Sequence, residues 1–360
     1  MSKEYDALIK KAKNEGSLNT ADQQRKDKLD ADLAVARQAF DTFTVELLRE
    51  LGQQGGQTAS RERDLEIGSK QLAKLGGLKE TLRDLSKLGN SSTATLHYLM
   101  TDKRLWILLT TPTIQLKREA AISETDLNRQ IGQYRQAIAS RDPKVKELGK
   151  ALYDILIAPV AQDLQQAQAK TLMLSLDGSL RYLPMAALYD GEQYLAQRYR
   201  LALFTEAAKD KLKDQPQTTW SLAGYGLTQK IEHFDALPSV KGELNGILQD
   251  MKGSIKLDNE FTAKAFKTGL ESEPPVVHLA SHFVFKPGNE TDSFLLTGDG
   301  KRLSLKDLKD GYTFINTDLL TLSACETAVG GGRDANGREV EGFGALAQNQ
   351  GAKGVIAVSV

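Results

Sequence analysis

The chain has 360 residues, 40% of them hydrophobic, which suits one elaborated domain or two modest ones with an ordinary core. Its 47 basic side chains balance its 47 acidic ones without a basic arm, so charge indicates neither a nucleic-acid partner nor an anionic membrane surface. No apolar run approaches a membrane span, and the charged start from Met1 to Lys13 lacks the apolar centre of a secretory signal. We therefore expect a soluble, globular, cytoplasmic protein.

Residues 1–90 are predicted to be helical. Apolar residues recur at steps of four and three from Leu29 to Leu51, which places them on one stripe of a long helix. After a polar stretch with glycines from Gly52 to Ser60, a second apolar run from Leu72 to Leu88 is expected to return antiparallel, kinked or divided at Gly76-Gly77. This region is a predicted helical hairpin or coiled-coil-like pair, used for packing or for docking a partner.

From Ser91 the apolar period changes from helical to extended. Stretches from Thr95 to Met100, from Arg104 to Thr110 and after Pro112 predict a small antiparallel meander. Two helices are expected to follow. The first begins at Ser123 and the second runs from Pro143 to Leu156. On the first helix, one face carries Leu127, Ile131, Tyr134 and Ile138.

The rest of the chain has the rhythm of an α/β domain, in which short apolar strands alternate with helical segments such as Gly242 to Met251 and Thr262 to Leu270. Continuous apolar strands joined through helices predict a mainly parallel sheet covered on both faces. The predicted strands are Thr171 to Leu176, Leu201 to Phe204, Ser221 to Gly224, Val276 to Ala280, Leu319 to Ser323 and Val355 to Val360.

Two of these strands end at residues that carry chemistry. The strand from Val276 ends at Ser281-His282, and the strand from Leu319 ends at Ala324-Cys325. In an open parallel sheet the carboxyl ends of neighbouring strands form the crevice where ligands bind, so an imidazole and a thiol are expected at one edge. The chain between them has room for an excursion through Phe294 to Leu296, a short helix at Ser304 to Leu308 and a right-handed return.

Cys325 is the only cysteine of the chain. It is either a small buried apolar group or a reactive thiol, and a single cysteine excludes an internal disulfide and a metal site of several thiolates. We expect no metal and no other cofactor. An imidazole beside the thiol would take its proton and produce a nucleophilic thiolate, with backbone N–H groups of Cys325 and of the turn beside His282 as oxyanion donors. Asp318 begins a strand and is expected far from this crevice.

These stretches also resemble a known family, the CHAT domains, which are caspase-like cysteine peptidases related to separase. The resemblance is carried by VVHLASHFVF from Val276, LSACETAVGG from Leu322 and EVEGFGALAQNQGAKGVIAV from Glu339, with weaker support from Leu176 to Ala187 and Tyr98 to Leu109. It implies a caspase-like, mainly parallel sheet flanked by helices over residues 91–360. It also implies that this domain is truncated at its C-terminus, because CHAT domains continue beyond the last predicted strand.

Carried over residue by residue, the catalytic histidine of the family falls on His282 and the nucleophile on Cys325, while His278 is expected to be structural. Many relatives have glycine after the histidine, where this chain has Phe283. The resemblance thus implies a cysteine endopeptidase with a protein substrate and a protein activator or regulator that contacts the N-terminal helices. The alternative is a catalytically silent or pre-active scaffold with the same fold.

Further candidates flank the two motifs. Candidates for binding the oxyanion or substrate are Phe283, Glu326, Gly330 and Gly331. The glycine-rich stretch Gly330 to Gly337 is either a plain surface loop or one that orders when substrate or activator binds. Acidic residues are either ordinary solvated charges or the lining of a pocket for a basic substrate side chain; they are Asp177, Glu326, Glu339 and Glu341.

Two glycine patterns are given structural interpretations. The spacing of Gly342, Gly344 and Ala347 matches a dinucleotide-binding pattern, but a polar loop precedes it where that motif needs a strand. Gly224-Tyr225-Gly226 has no third glycine and is interpreted as a turn after a strand, either plain loop geometry or a border of the crevice. His97 and His233 are likewise interpreted as structural.

Overall fold

A computed structural model of the chain describes residues 2–31, 34–35, 38, 42, 75–89, 92–101, 104–176, 178–205, 208, 211–212, 214–286, 289–323 and 342–357. The chain divides into two compact units, Met1–Phe204 and Thr205–Val360. No helix among the described residues combines the length and the apolar character that a membrane crossing needs.

The first unit begins with helices, as predicted. They are α1 (Ser2–Glu15), α2 (residues 20–31) and α3 (Leu75–Gly89). Leu29 is buried, but the rest of the first predicted stripe, from Leu33 to Leu51, lies outside the described residues. On α3, Leu78 and Leu82 are buried. The Gly76-Gly77 pair lies in the first turn of α3, so the helix runs undivided from residue 75 to residue 89.

The predicted antiparallel meander is present in the first unit. It consists of β1 (Ser92–Met100), β2 (Leu105–Thr110) and β3 (Gln115–Ala120). Two further strands, β4 (Ala169–Ser175) and β5 (Arg200–Leu203), extend the sheet in parallel from β1, which gives the order β3-β2-β1-β4-β5. The sequence predicted β4 and β5 as strands, yet they join the meander instead of the sheet that carries the histidine and cysteine motifs.

Helices α4 (Glu124–Ser140), α5 (Val145–Leu156) and α6 (Ala158–Gln166) cover this sheet, and α7 (Leu195–Arg198) precedes β5. Ser123 caps α4 by accepting a hydrogen bond from the Asp126 N–H, as its residue type favours. Apolar side chains from β1, β2 and these helices form one core. Ile138 was predicted on the buried face of α4, but it is 37% exposed, and Ala137 is the buried residue of the last turn.

The second unit is built on a wholly parallel sheet. Its strands are β6 (Leu222–Gly226), β7 (Gly253–Leu257), β8 (Val276–Ala280), β12 (Leu319–Ser323) and β13 (Gly354–Ala357), in the order β13-β12-β8-β6-β7. Strand β7 was not predicted, because its sequence GSIKL is half exposed and too polar to read as a buried strand. The other four strands were.

Helices lie on both faces of this sheet, as the sequence predicted. They are α8 (Ser239–Asp250), α9 (Ala263–Glu271), α10 (Leu305–Gly311) and α11 (Phe343–Asn349). Helix α8 packs on the face that carries Gly224 and Gly226, while Phe266 of α9 packs against Tyr225 on the opposite face, with ring centroids 5.0 Å apart. Three short strands follow β8 and pair antiparallel with one another: β9 (Phe283–Val284), β10 (Phe294–Leu296) and β11 (Arg302–Ser304).

Candidate active site

The candidate site lies at the carboxyl edge of the parallel sheet in the second unit. Strands β8 and β12 are neighbours, and their last residues, Ala280 and Ser323, are paired in register. The turn that follows β8 is fixed to β10, because the Ser281 hydroxyl donates to the Leu296 carbonyl at 2.6 Å and the Leu296 N–H donates to the His282 carbonyl at 2.9 Å. The backbone of His282 therefore has a defined position just beyond the end of β8.

Among the described residues, the His282 ring has a hydrogen-bond partner that determines its tautomer. Its Nε2 atom lies 2.8 Å from the backbone carbonyl oxygen of Asp235. Because a carbonyl only accepts, Nε2 carries the hydrogen, and in the neutral ring Nδ1 keeps a free lone pair. The Phe234 ring lies against the imidazole, with centroids 5.2 Å apart. His282 is thus oriented as a base that acts through Nδ1.

The sequence identified no third group beside the histidine and the cysteine. In the structure, the group that contacts His282 is the backbone carbonyl of Asp235. Every residue has a backbone carbonyl, so no residue type signals this role. The side chain of Asp235 points elsewhere and is 88% exposed, 3.7 Å from the Lys230 ammonium. Only the path of the loop between β6 and α8 brings this particular oxygen to the histidine.

The predicted nucleophile, Cys325, lies outside the described residues, which stop at Ser323 and resume at Gly342. The same holds for Glu326, Gly330 and Gly331, for the whole stretch from Gly330 to Gly337, and for the acidic candidates Asp177, Glu339 and Glu341. Their roles stay predictions. What the structure supplies is the frame: Cys325 is the second residue after Ser323 in the sequence, as His282 is the second after Ala280.

Phe283, the fourth flanking candidate, has a buried side chain. It is 3% exposed and stacks on Phe343 at the start of α11, with ring centroids 5.6 Å apart and an interplanar angle of 30°. Any contribution of Phe283 to binding an oxyanion must therefore come from its backbone N–H.

His278 occupies the interior of β8 and is 5% exposed. Its Nε2–H donates to a Glu243 carboxylate oxygen on α8 at 2.8 Å. Burial lowers the pKa of His278, and the Glu243 carboxylate opposes that shift only in part. This environment fits the structural role expected for His278.

Asp318 lies at the opposite, amino end of β12, as expected from its place in the sequence. It pairs with Lys353 at 2.8 Å and accepts hydrogen bonds from the Gln217 N–H at 2.6 Å and the Trp220 indole at 3.0 Å. Burial favours a raised pKa for Asp318, but these three donors together outweigh it and hold the pKa below the usual value. Asp318 therefore stabilises the start of the strand and is no candidate for the crevice.

Gly224-Tyr225-Gly226 was predicted to be a turn, and this prediction is wrong. All three residues belong to β6 and are buried. A Cβ atom on Gly226 would lie 2.5 Å from Val240 and 2.9 Å from Leu244, so the glycine allows α8 to approach the sheet closely. The glycine pattern signalled helix packing instead of a loop at the crevice.

The remaining binding motifs gain no support. Gly342 is the N-cap of α11. The buried side chains of this helix, Phe343, Leu346 and Ala347, show that it packs into the core. Within the part of the chain that the structure describes, no group of three His, Cys, Asp or Glu side chains is arranged to hold a metal ion.

A wholly parallel sheet with helices on both faces, and a histidine at its carboxyl edge, is the arrangement of a caspase-like α/β protein. The family model described as CHAT domain matches residues 146–359, from the second residue of α5 through both motifs. The chain belongs to the CHAT domain family, as its motifs predicted, and this family is related to the caspase-like peptidases. No curated protein matches the chain.

Proposed function

We propose that this chain is a cysteine endopeptidase that cleaves protein substrates, with Cys325 as nucleophile and His282 as general base and acid. The paired ends of β8 and β12 support this function most directly, because each candidate residue comes two positions after a residue of the Ala280–Ser323 pair. Neighbouring strands of a sheet lie about 4.8 Å apart, which suits contact between an imidazole and a thiol. Membership of a peptidase-related family supports the same function.

The orientation of His282 defines the proton transfers. With Nε2–H bonded to the Asp235 carbonyl, Nδ1 takes the proton of the Cys325 thiol, and the thiolate attacks the carbonyl carbon of the peptide bond. As the tetrahedral intermediate collapses, the C–N bond breaks and Nδ1–H gives its proton to the leaving amine. Water, deprotonated at Nδ1, then attacks the thioester. The second intermediate releases the new carboxyl terminus, and the proton on Nδ1 returns to the thiolate.

Backbone N–H groups are the proposed oxyanion donors. Strands β8 and β12 end at the same edge, and Phe283 and Cys325 follow these ends in the sequence. A backbone donor needs no solvent-exposed side chain, which accommodates the buried ring of Phe283. The N-terminal helical region, residues 1–90, is proposed as the docking element for an activator or regulator of the domain over residues 91–360.

A cleavage experiment tests this function. The intact chain and its Cys325→Ala variant are each incubated with denatured proteins, and new amino termini are identified by mass spectrometry. Termini produced by the intact chain and missing with the variant are the expected result. Equal cleavage by both proteins would contradict the assignment of Cys325.

A thiol-reactive peptide probe separates this function from the alternative of a silent scaffold with the same fold. We expect the intact chain to be labelled at Cys325 faster than a free cysteine peptide at neutral pH, because an imidazole raises the thiolate fraction. A labelling rate equal to that of the free peptide would favour the scaffold.

A further inference from the structure

We propose that Asp258 is a positioning residue of the His282 site. The Asp258 carboxylate holds the loop that presents the Asp235 carbonyl to the imidazole. The inference rests on the proposed function, because it assigns Asp258 a part in preparing His282 for proton transfer. Asp258 directly follows β7, so it lies at the same carboxyl edge of the sheet as His282.

The Asp258 carboxylate accepts three hydrogen bonds from the start of the loop. One oxygen accepts from the Thr228 N–H at 2.7 Å and from the Gln229 N–H at 3.2 Å, and the other accepts from the Thr228 hydroxyl at 2.7 Å. A carboxylate that bonds backbone N–H groups forms stronger hydrogen bonds than neutral acceptors do. Both oxygens are thus committed to one turn of the neighbouring loop.

The backbone of Asp258 is held in an unusual conformation by its surroundings. Its φ is 48°, in the left-handed region that Asp and Asn tolerate better than most residues. The Phe261 N–H donates to the Asp258 carbonyl at 2.8 Å, and Gly298 packs so closely on that carbonyl that a Cβ atom there would collide with it. Several contacts therefore fix this residue, as is common where strain serves a site.

The loop carries the position of Asp258 to His282. The Leu237 N–H donates to the Thr228 carbonyl at 3.1 Å and closes the loop on the residue that Asp258 binds. Inside the loop, Ile231 and Phe234 exchange two backbone hydrogen bonds of 3.1 and 2.8 Å, which form the turn just before Asp235. The start of the loop and the oxygen that contacts His282 are thus parts of one closed unit.

A second set of contacts holds the middle of the loop. Arg302 of β11 bonds Glu232 at 2.9 Å and lies over the Phe294 ring, which contacts Phe234 edge-on. These contacts reach the exposed side of the loop, where ion pairs contribute little. The three bonds to Asp258, together with the bond of 2.9 Å from the Leu227 N–H to the Ala280 carbonyl, anchor the loop to the sheet edge.

Without the Asp258 carboxylate, the loop loses its three hydrogen bonds at Thr228 and Gln229. The Asp235 carbonyl then no longer restricts the imidazole to the form with hydrogen on Nε2, and both neutral tautomers are populated. Only the form with the lone pair on Nδ1 serves as the base in the proposed reaction. Displacements on the order of 1 Å at such contacts reduce rates by up to about 100-fold.

The first experiment reads the tautomer without any catalysis. In a Cys325→Ala background at alkaline pH, ¹⁵N NMR of the ring nitrogens distinguishes protonated from unprotonated Nδ1 and Nε2, and the chain has only four histidines to assign. We expect the hydrogen on Nε2 of His282 in this background, a mixture of tautomers after Asp258→Ala, and a single tautomer again with Asp258→Asn. Asparagine keeps an acceptor for both N–H groups and tolerates the backbone conformation.

Asp190→Ala is the matched control. The Asp190 carboxylate also caps a turn, accepting from the Glu192 and Gln193 N–H groups at 2.8 Å each, but it belongs to the first unit. Its loss should leave the His282 signals unchanged. If Asp258→Ala fails to fold by circular dichroism, Thr228→Val removes one of the three hydrogen bonds and is expected to shift the tautomer ratio partially.

The second experiment measures labelling of Cys325 by the peptide probe. Asp258→Ala should lower the labelling rate by about 10-fold to 100-fold, with Asp258→Asn close to the unsubstituted chain. An unchanged tautomer and rate in Asp258→Ala would overturn the inference, as would an equal shift in Asp190→Ala. If the tautomer shifts as expected while Cys325 of the unsubstituted chain shows no enhanced labelling, the proposed function fails and the positioning role of Asp258 stands.

Discussion

The two five-stranded sheets of this protein differ in the direction of their strands. In the first unit, β3, β2 and β1 are antiparallel, so successive strand ends alternate between the two edges of the sheet. In the main sheet of the second unit all five strands are parallel, so all their carboxyl ends lie at one edge of that sheet. Loops that follow these strands, including those with His282 and Asp258, therefore gather at that edge.

The histidines differ in where they lie relative to the ends of the strands. His97 lies within β1 of the first sheet, where it is 7% exposed and packs edge-on against Phe204. His278 lies within β8 and is equally enclosed, whereas His282 comes after the end of the same strand and has its own carbonyl partner. Position relative to the strand end, more than the residue type, separates a structural histidine from a candidate catalyst.

The largest expected effect tests this separation at His282. In His282→Gln, labelling of Cys325 by the peptide probe should fall by at least about 100-fold, because the base that deprotonates the thiol is lost. The rate is measured by mass spectrometry of the labelled peptide at neutral pH. His233→Gln is the control, since the His233 side chain is 70% exposed in the loop between β6 and α8 and contacts Phe234, which also contacts His282. A similar fall in both variants would remove the distinction.

A smaller effect tests how closely the second sheet and α8 are packed. Gly226→Ala should lower the free energy of unfolding by about 1–3 kcal/mol, because the new methyl group overlaps Val240 and Leu244. Gly246→Ala, on the open side of α8, should raise it by about 0.4–1 kcal/mol.

Urea titrations followed by tryptophan fluorescence measure the free energy of unfolding of the second unit, which contains both glycines. The chain has two tryptophans, Trp106 in the first unit and Trp220 in the second. In a Trp106→Phe background, Trp220 reports the second unit. Equal effects of the two glycine substitutions would show that close approach of α8 does not limit residue size at Gly226.

The smallest effect is a pH dependence of the second unit. Since burial lowers the pKa of His278 below its ordinary value of 6.5, the unfolded chain takes up this proton first as the pH falls. The contribution of His278 to stability is therefore complete above about pH 6.5 and declines below it toward the lowered folded-state pKa. His278→Gln should make the free energy of unfolding less dependent on pH between about pH 7 and pH 5. An unchanged slope, read from Trp220, would contradict this.

Much of the fold was predictable because its elements follow local rules. Apolar runs and their flanking residues located the meander, α4 with its Ser123 cap, and the strands β8 and β12 with their bounds. The missed strand, β7, is half exposed and lacks a clear pattern. Had β7 been recognised, the rule that carboxyl ends of parallel strands carry sites would have drawn attention to Asp258.

Assignment of strands to sheets was less predictable. The sequences of β4 and β5 resemble those of the second sheet, but they pair with β1 in the first. Hydrogen bonding between strands involves backbone groups that all residues share, so partner choice depends on which surfaces can be buried together.

For this protein the sequence determined the class of fold and the family, and it predicts His282 and Cys325 as the motif residues, because residue types and their spacing can be recognised without a structure. The three-dimensional arrangement established that β8 and β12 are neighbours in register and that His282 meets the Asp235 carbonyl. It also brought Asp258 to the loop that carries that carbonyl. These are contacts of backbone groups and of residues far apart in the chain, and only folding brings them together.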